Sequence, residues 1–503
     1  MRTDRAAVVV GASIVAIAGA GLARDRGLLG SPRGEVYGHA WHVWWHAIAL
    51  PRWASGTDLA VGTSVWPVAD PLPTLIASIA TRIAGLEVGY DGWILLSVAL
   101  AFAGGFVLAR SCGGAPLVGG VALAMAPSFT GALASGLTED SSVGIAALAY
   151  AAIVARRHVL AGALMGALAW CGPVLAIYAA VGAVVLGLLE IRRDRSLLAP
   201  MVAAAAVAAA VAAPAVWLQR PMLGSASTRD LAQTCASAWR QNARGGADLL
   251  SLVAPGRLGD VEGLVHPGYL GVAVLLLAAV GFRHRLAWVA LAAVIAGIGS
   301  RLCVAGEELA PSPFAPLLSI GGLLHDHARA LCIAAVALSA LAARGASRLG
   351  RAGRLAPAVV ALDLLIASPA SLPLPVAPST PAEISGALAG LSAGPVLVVP
   401  ASGPGLNFLR PLIDQRVHGR RLLLDPNRPG VVAKIAATPF GGWLAAIGFP
   451  DGAAPRPSDL FLPGVSVLVV MEPHVDRVAA LLGPPNVRKT DGGAWDLRGH
   501  AGH

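Results

Sequence analysis

The fold class this sequence predicts is mainly α: a polytopic bundle of transmembrane helices with a small C-terminal α/β domain. Three observations predict it. The 503-residue chain is 56% hydrophobic and only 13% charged, with a mean hydropathy of +0.69, whereas soluble domains carry about 25% charged residues. The missing charge is concentrated: 6–22, 92–110, 197–217 and 329–344 hold almost none except at their ends. Apolar runs of roughly 17–25 residues read as spanning helices, because lipid forces the backbone to satisfy its own hydrogen bonds. From about residue 378 the pattern changes to short β-like runs bounded by Gly and Pro.

The net charge of +9 lies almost wholly on arginine, with Lys434 and Lys489 the only lysines. A basic balance can mean nucleic acid, but these arginines cluster at the ends of apolar runs, so topology accounts for them and no nucleic-acid partner is expected. The Arg-for-Lys and Ala/Gly bias looks like that of a high-GC bacterial genome. Arg2 and Arg5 precede the first apolar run as in a signal peptide, but no clear small-residue cleavage site follows, so an uncleaved first helix is expected.

Basic turns near helix ends stay cytoplasmic. Arg2 and Arg5, Arg110, Arg156 and Arg157, Arg192, Arg193 and Arg195, Arg283 and Arg285, and the group Arg344, Arg348, Arg351 and Arg354 mark them. Placing all of them inside gives helices at 6–22, 92–110, 115–128, 141–155, 158–171, 174–190, 197–217, 268–282, 286–300, 329–344 and 356–368. That is about 11 spans in a bundle over 1–368, with the N-terminus inside and the C-terminus outside the cytoplasmic membrane. The run 72–86 is read as a helix lying in the outer interface, with Arg82 snorkelling. Four outer segments remain: 23–91, 129–140, 218–267 and 301–328. Pro-rich 369–381 reads as a linker, and 382–503 as a small α/β domain on the outer face, with strands at Val396–Val399 and Val465–Val470, a helix at 474–482 and a last strand near Trp495–Leu497.

The first outer segment, 23–91, holds most of the candidate chemistry. On a helix, Glu35, His39, His42 and His46 fall at i, i+4, i+7 and i+11, which is one face. Trp41, Trp44 and Trp45 flank that face, and tryptophan favours the membrane–water boundary. The stripe reads as the wet side of an interfacial helix, as a catalytic carboxylate with supporting histidines, or as a metal site at His39, His42 and His46. No HExxH motif accompanies them, and a divalent metal is the only cofactor left open. Asp70 precedes Pro71 and fits either an N-cap or a site acid. Glu139 and Asp140 begin the helix at 141–155, where acids complement the helix dipole. Arg220, Arg229, Arg240 and Arg244 suit phosphate by their guanidinium forks, or anionic headgroups generally. His325, Asp326 and His327 with Arg329 form a further polar cluster or a solvated loop. Cys112, Cys171 and Cys332 lie in or beside apolar runs as small core residues. Cys235 and Cys303 fall in outer segments, and their spacing alone does not show whether they pair.

The order of these features resembles the conserved module of GT-C glycosyltransferases such as mannosyl- and aminoarabinosyl-transferases. A short cytoplasmic N-terminus, a first helix and a long outer loop with an early acid are followed by an aromatic helix, an Asp-Pro and an interfacial helix. After two more spans comes an acid in the second outer loop. The chain is similar more closely to bacterial YfhO-like membrane proteins, through Gly34–Trp45, through Ala247–Leu250 and Pro255 before Gly268–Gly271, and through Gly464–Val470. It departs from the usual first-loop acidic pair: Glu35 stands alone before Val36, and the doubled acid is Glu139–Asp140.

The resemblance implies transfer of a sugar from a polyprenyl-phosphate donor to a glycan, lipid or protein acceptor at the outer face of the cytoplasmic membrane. In that reading Glu35 is the base, Asp70 with Glu139 or Asp140 orients it or the acceptor, and His39 and His42 contribute to binding. Arg220, Arg240 or Arg329 holds phosphate. Two other functions stay open: a non-catalytic GT-C-like transporter or scaffold for lipid-linked glycans, and a metal-dependent membrane hydrolase built on the three histidines.

Overall fold

The structure is a computed structural model and describes residues 2–49, 70–225, 235, 246–256, 267–313, 315, 327–370, 372–399, 410–420, 422–423, 435–447, 455–456, 460, 462 and 464–499. The bundle runs α1 (Arg2–Ala18), α2 (Val36–Ala49), α3 (Pro71–Ala84), α4 (Leu86–Ser111), α5 (Pro116–Ala124), α6 (Pro127–Ala134), α7 (Val143–Val154), α8 (His158–Cys171), α9 (Pro173–Arg193), α10 (Leu198–Ser225), α11 (Val272–Gly281), α12 (Leu286–Ile298), α13 (Ala330–Arg348) and α14 (Ala356–Ile366). Each of the eleven stretches expected as spans contains helix. Among the described residues five are long and apolar enough to cross a bilayer: Leu86–Ser111, Pro116–Ala134, Pro173–Arg193, Arg195–Gln219 and His327–Arg348. Pro opens α3, α5, α6, α9 and α14, where its missing N–H would have no intrahelical partner anyway.

The interior is built on small residues. A Cβ on Gly345 of α13 would overlap the Leu277 carbonyl of α11, and one on Gly281 of α11 would overlap Leu341 of α13. Gly105 of α4 and Gly119 of α5 meet in the same backbone-to-backbone way. Close backbone approach at glycine and alanine is how helices associate in lipid, where burying more leucine gains nothing over leaving it in hydrocarbon. The outside carries exposed Val184, Leu188, Val202, Val216, Leu276 and Leu362. That surface suits lipid and not water, and the chain is a membrane protein.

Three boundaries differ from the sequence reading. The helix expected at 115–128 is two helices, broken where Pro127 forces Ala126 into an extended conformation. α6 then extends to Ala134, so half of the expected outer segment 129–140 is helix. α4 starts at Leu86 rather than 92, because Gly85 at φ +94 separates it from α3. Glu87 and Asp91 depress the hydropathy there, although the Asp91 carboxylate is buried and accepts from Leu29 N–H at 2.7 Å. The Pro-rich segment 369–381 does not act as a loose linker. Its residues Val376–Pro378 form β4, which pairs antiparallel with β1 (Gly27–Leu29). Leu374 N–H donates to Ala18 at 3.1 Å, and Gly30 N–H to Pro375 at 2.7 Å. An extended Pro-rich chain is already in strand-like conformation and needs only an open edge to pair with. A second hairpin, β2 (Arg301–Val304) with β3 (Glu307–Pro311), follows α12.

Beyond this Pro-rich strap, 369–381, lie α15 (Glu383–Ala387), β5 (Val396–Val399), α16 (Arg410–His418), α17 (Pro439–Ala445), β6 (Val467–Met471), α18 (Val475–Leu482), β7 (Val487–Lys489) and β8 (Gly492–Asp496). The sheet order is β5-β6-β8-β7, with β5 parallel to β6 and the rest antiparallel. Alternation along β6 sends Leu468 and Val470 into a core with Phe440 and Trp495, and Val467 and Val469 into the core continuous with the bundle.

The crossing of α11 and α13 is testable. Gly345→Val should lower thermal stability in detergent by about 1–3 kcal/mol through overpacking. Gly92→Ala, where a new Cβ meets nothing within 4 Å, should leave stability unchanged. Equal melting of Gly345→Val and the parent would contradict the crossing.

Candidate functional site

The chain just before α2 and the turn after α6 touch backbone to backbone. A Cβ on Gly34 would overlap the Ser135 carbonyl, and one on Gly136, at φ +80, would overlap Val36. That contact lets Glu35 N–H donate to Ser135 at 2.7 Å and Ser31 N–H to Ala134 at 2.7 Å. From the other side α4 holds the second segment. Tyr90 donates its hydroxyl to Gly136 at 3.2 Å, and Trp93 Nε1 donates to Ser141 Oγ at 3.0 Å. Glu35, at the start of α2, is thereby set beside Thr138 and the acids that follow it.

His39, one turn into α2, ties the segments together. Its Nε2 lies 3.4 Å from Glu35 Oε2, and its Nδ1 lies 2.7 Å from Thr138 Oγ1 and 3.8 Å from Asp70 Oδ2. The Thr138 hydroxyl has one proton and donates it to Asp70 Oδ2. It can therefore only accept from His39, so Nδ1 carries a hydrogen. Nε2 faces a carboxylate, so both ring nitrogens act as donors and His39 is an imidazolium. The electrostatics agree. Burial alone would push His39 down, but the hydrogen bond to Glu35 and the charges of Asp70, Glu35 and Glu139 outweigh it and raise its pKa to about 9. Burial pushes Asp70 up to about 6, against the lowering effect of His39, Thr138 and Thr74. Asp70 occupies the N-cap position of α3 but makes no cap hydrogen bond there. Its carboxylate instead accepts from Thr138 and from Thr74 Oγ1 at 3.2 Å.

Next to this triad, Glu139 and Asp140 open a 3-10 turn, Glu139–Ser142. Arg329, at the entry to α13, pairs with Glu139 and lies 3.7 Å from Asp140 Oδ2. A Cβ on Gly172, just before α9, would overlap the Glu139 carbonyl, so α9 starts against the turn. On α9, Tyr178 OH lies 3.0 Å from Nδ1 of His327, two residues before Arg329. The arrangement has a front and a back. The Glu35 and Glu139 side chains are 28% and 16% exposed, while Asp70 and Asp140 are buried at 1% and 0%. Two reachable carboxylates thus stand before two buried ones, with one imidazolium and one guanidinium among them. Such a set can accept a proton at the front while the cations hold the charge in place.

Several expectations are corrected here. The polar face of α2 is not wet: His39, His42 and His46 are buried, because α3 covers it, with Ser78 donating to Val43 at 2.9 Å. Trp41 is also buried, and its Nε1 donates to Gln415 Oε1 of α16 at 2.6 Å. The three histidines do not converge with a carboxylate. His39 turns to the acids, while His46 Nδ1–H donates to the His42 carbonyl at 2.7 Å. Burial, then the charges of His46 and His39, hold His42 well below the usual histidine range. Among the described residues no group of three His, Cys, Asp or Glu could hold one metal ion. Cys235 and Cys303 form a disulfide, with Cα atoms 5.5 Å apart. Arg240, His325, Asp326 and the side chain of Arg220 lie outside the described residues.

Sequence reasoning named the acids but missed what holds them. Thr138 carries no signal beyond being polar. Tyr178, Trp93 and Gln415 sit in apolar helices or in a distant domain, where only the fold reveals their direction.

No protein-family model matches the chain, and no curated protein does. Among solved structures it is similar to the arabinofuranosyltransferase AftD from mycobacteria, with 17% identity and a TM-score of 0.54 over 93% of this chain and 35% of that one. A mutant of AftD gives 18% identity and a TM-score of 0.56, over 93% of this chain and 36% of that one. ArnT from Cupriavidus metallidurans bound to undecaprenyl phosphate gives 14% and 0.50, over 97% of this chain and 96% of that one. The chain thus spans about a third of the length of AftD and nearly all of ArnT. At these identities the likeness is one of fold alone, and the fold is the one that AftD and ArnT share.

Proposed function

We propose that this chain is a glycosyltransferase that moves a sugar from a polyprenyl-phosphate-linked donor to a glycan, lipid or protein acceptor at the outer face of the cytoplasmic membrane. The observation that carries the reading is the meeting of Glu35, Asp70, Glu139 and Asp140 around His39 and Arg329, from turns far apart in the chain. The shared fold with ArnT, whose structure holds undecaprenyl phosphate, supports a lipid-phosphate donor. The closer likeness to YfhO-like proteins rests on the sequence stretches alone.

In this reading the acceptor hydroxyl attacks the anomeric carbon. The bond from that carbon to the phosphate oxygen breaks, and polyprenyl phosphate leaves with the electron pair. The hydroxyl proton passes to Glu35, the most exposed carboxylate of the cluster. Asp70 and Thr138 fix His39, which in turn fixes Glu35. Arg329 takes the donor phosphate in exchange for Glu139, since a guanidinium stabilises the charge that grows on the leaving group.

Topology supports the outer face. α9 starts against Glu139 and ends at Arg192 and Arg193, and its 21 residues rise about 32 Å, the thickness of a hydrocarbon core. The carboxylates and the basic turns then lie on opposite faces, and the basic one faces the cytoplasm. The disulfide at Cys303 sits past the end of α12 remote from Arg285, and disulfides persist in oxidising compartments. The Trp41–Gln415 bond supports a C-terminal α/β region on the carboxylate side. α3 exposes Ile76, Ile79 and Ile83 beside Arg82, as suits a helix lying at the outer boundary.

Two experiments test this. Glu35→Gln should leave expression and melting intact while sugar transfer from polyprenyl-phosphate donors falls about 10²–10⁴-fold; full retained transfer would remove the assignment. The pH profile is the second. The charged state of His39 is favoured by the fold, a contribution present below 6.5 and lost as pH rises through about 9. Asp70 is ionised only above about 6. Transfer should therefore plateau between about 6 and about 9 and fall on both sides. His39→Gln should abolish the alkaline limb, and a limb that persists in that variant would place its origin elsewhere.

A further inference from the structure

The end of the bundle remote from the carboxylates holds a second polar feature. A cavity of about 690 Å³ opens between the C-terminal end of α9 and the turn joining α11 to α12. Arg192 and Arg193 line it from α9, and Arg283 and Arg285 from the turn. Arg285 is paired with the buried Glu190, while among the described residues no carboxylate pairs with Arg192, Arg193 or Arg283. Three cationic forks thus face one space without compensation. Burial, then the charges of Arg344, Arg285 and Arg193, push His284 in the same turn down to about 4, so it is neutral near pH 7 and adds no charge. Phe282 and Trp288 also line the cavity and are 61% and 59% exposed.

This composition selects a ligand. Several arginines around one space suit phosphate oxygens, which guanidinium forks bind bidentately. Exposed aromatic side chains at the same level suit the boundary where glycerol and acyl chains begin. Free phosphate would use the arginines alone and leave the aromatic side chains without a role.

We propose that this cavity binds the headgroup of an anionic phospholipid, at the membrane face opposite the carboxylate cluster. The arginines engage its phosphate, and Phe282 and Trp288 pack against its glycerol and upper acyl segments. The proposal is independent of the sugar-transfer reading.

The test uses the full chain in detergent, with native mass spectrometry and thermal melting in dioleoyl phosphatidylglycerol, dioleoyl phosphatidylcholine or inorganic phosphate. The parent should retain phosphatidylglycerol selectively and melt higher with it. An arginine near an anionic headgroup contributes about fivefold in affinity, so Arg192→Gln/Arg193→Gln/Arg283→Gln together should weaken phosphatidylglycerol binding about 100-fold. Should the triple variant fail to fold, Arg283→Gln alone, in an exposed turn, should show about a fivefold loss. Equal retention of both lipids by the parent, or selectivity undiminished in the variants, overturns the proposal. Equal stabilisation by inorganic phosphate overturns the lipid assignment.

Discussion

The candidate site depends on one buried cation. His39 stands between Glu35 on its own helix and Thr138 and Asp70 on other segments, and each is within reach of a ring nitrogen. An ionised carboxylate as buried as Asp70 is costly unless it is paired and hydrogen-bonded. The imidazolium and the Thr138 hydroxyl meet that need together, so the segments are stable in this arrangement as a set. The same constraint explains the glycines. Glu35 can stand beside Thr138 only if the two loops touch backbone to backbone, and Gly34 and Gly136 permit that contact. Arg329 repeats the principle for Glu139 and Asp140.

The C-terminal region is tied to this cluster from behind. α16 lies against α2, where Gln415 accepts from Trp41, and Tyr37 donates to Pro378 of the strap at 3.1 Å. The strap itself pairs with β1, which leads toward Glu35. α2 is therefore held by the bundle on its histidine face and by the C-terminal region through Trp41. That support fixes the backbone carrying Glu35, as a preorganised site needs.

What was legible in the sequence follows from range. Apolar runs are local, so a helix could be read directly in each run from 92–110 to 356–368, and the i, i+4 relation of Glu35 and His39 is local as well. The strands at Val396–Val399 and near Val467 and Trp495 announced themselves by the same short-range pattern. Apart from the α5–α6 break, which Pro127 sets locally, the errors came where a distant partner decides. Hydropathy placed the start of α4 too late because Asp91 looks like a loop residue until Leu29 N–H is found beside it. The segment 369–381 looked like a linker because its pairing edge lies near residue 27. The face of α2 looked wet because nothing nearby in sequence announces that α3 covers it. Thr138, Tyr178 and Gln415 carried no local signal at all, since a hydroxyl or amide becomes a site residue only through what faces it.

The most direct test of the account is a structure of the chain with a bound polyprenyl phosphate. The account predicts the phosphate at the carboxylate cluster, within about 2.7–3.2 Å of the Arg329 guanidinium, with Glu139 displaced from Arg329 and Glu35 still paired to His39. A phosphate bound elsewhere, with the Arg329–Glu139 pair intact, would contradict it.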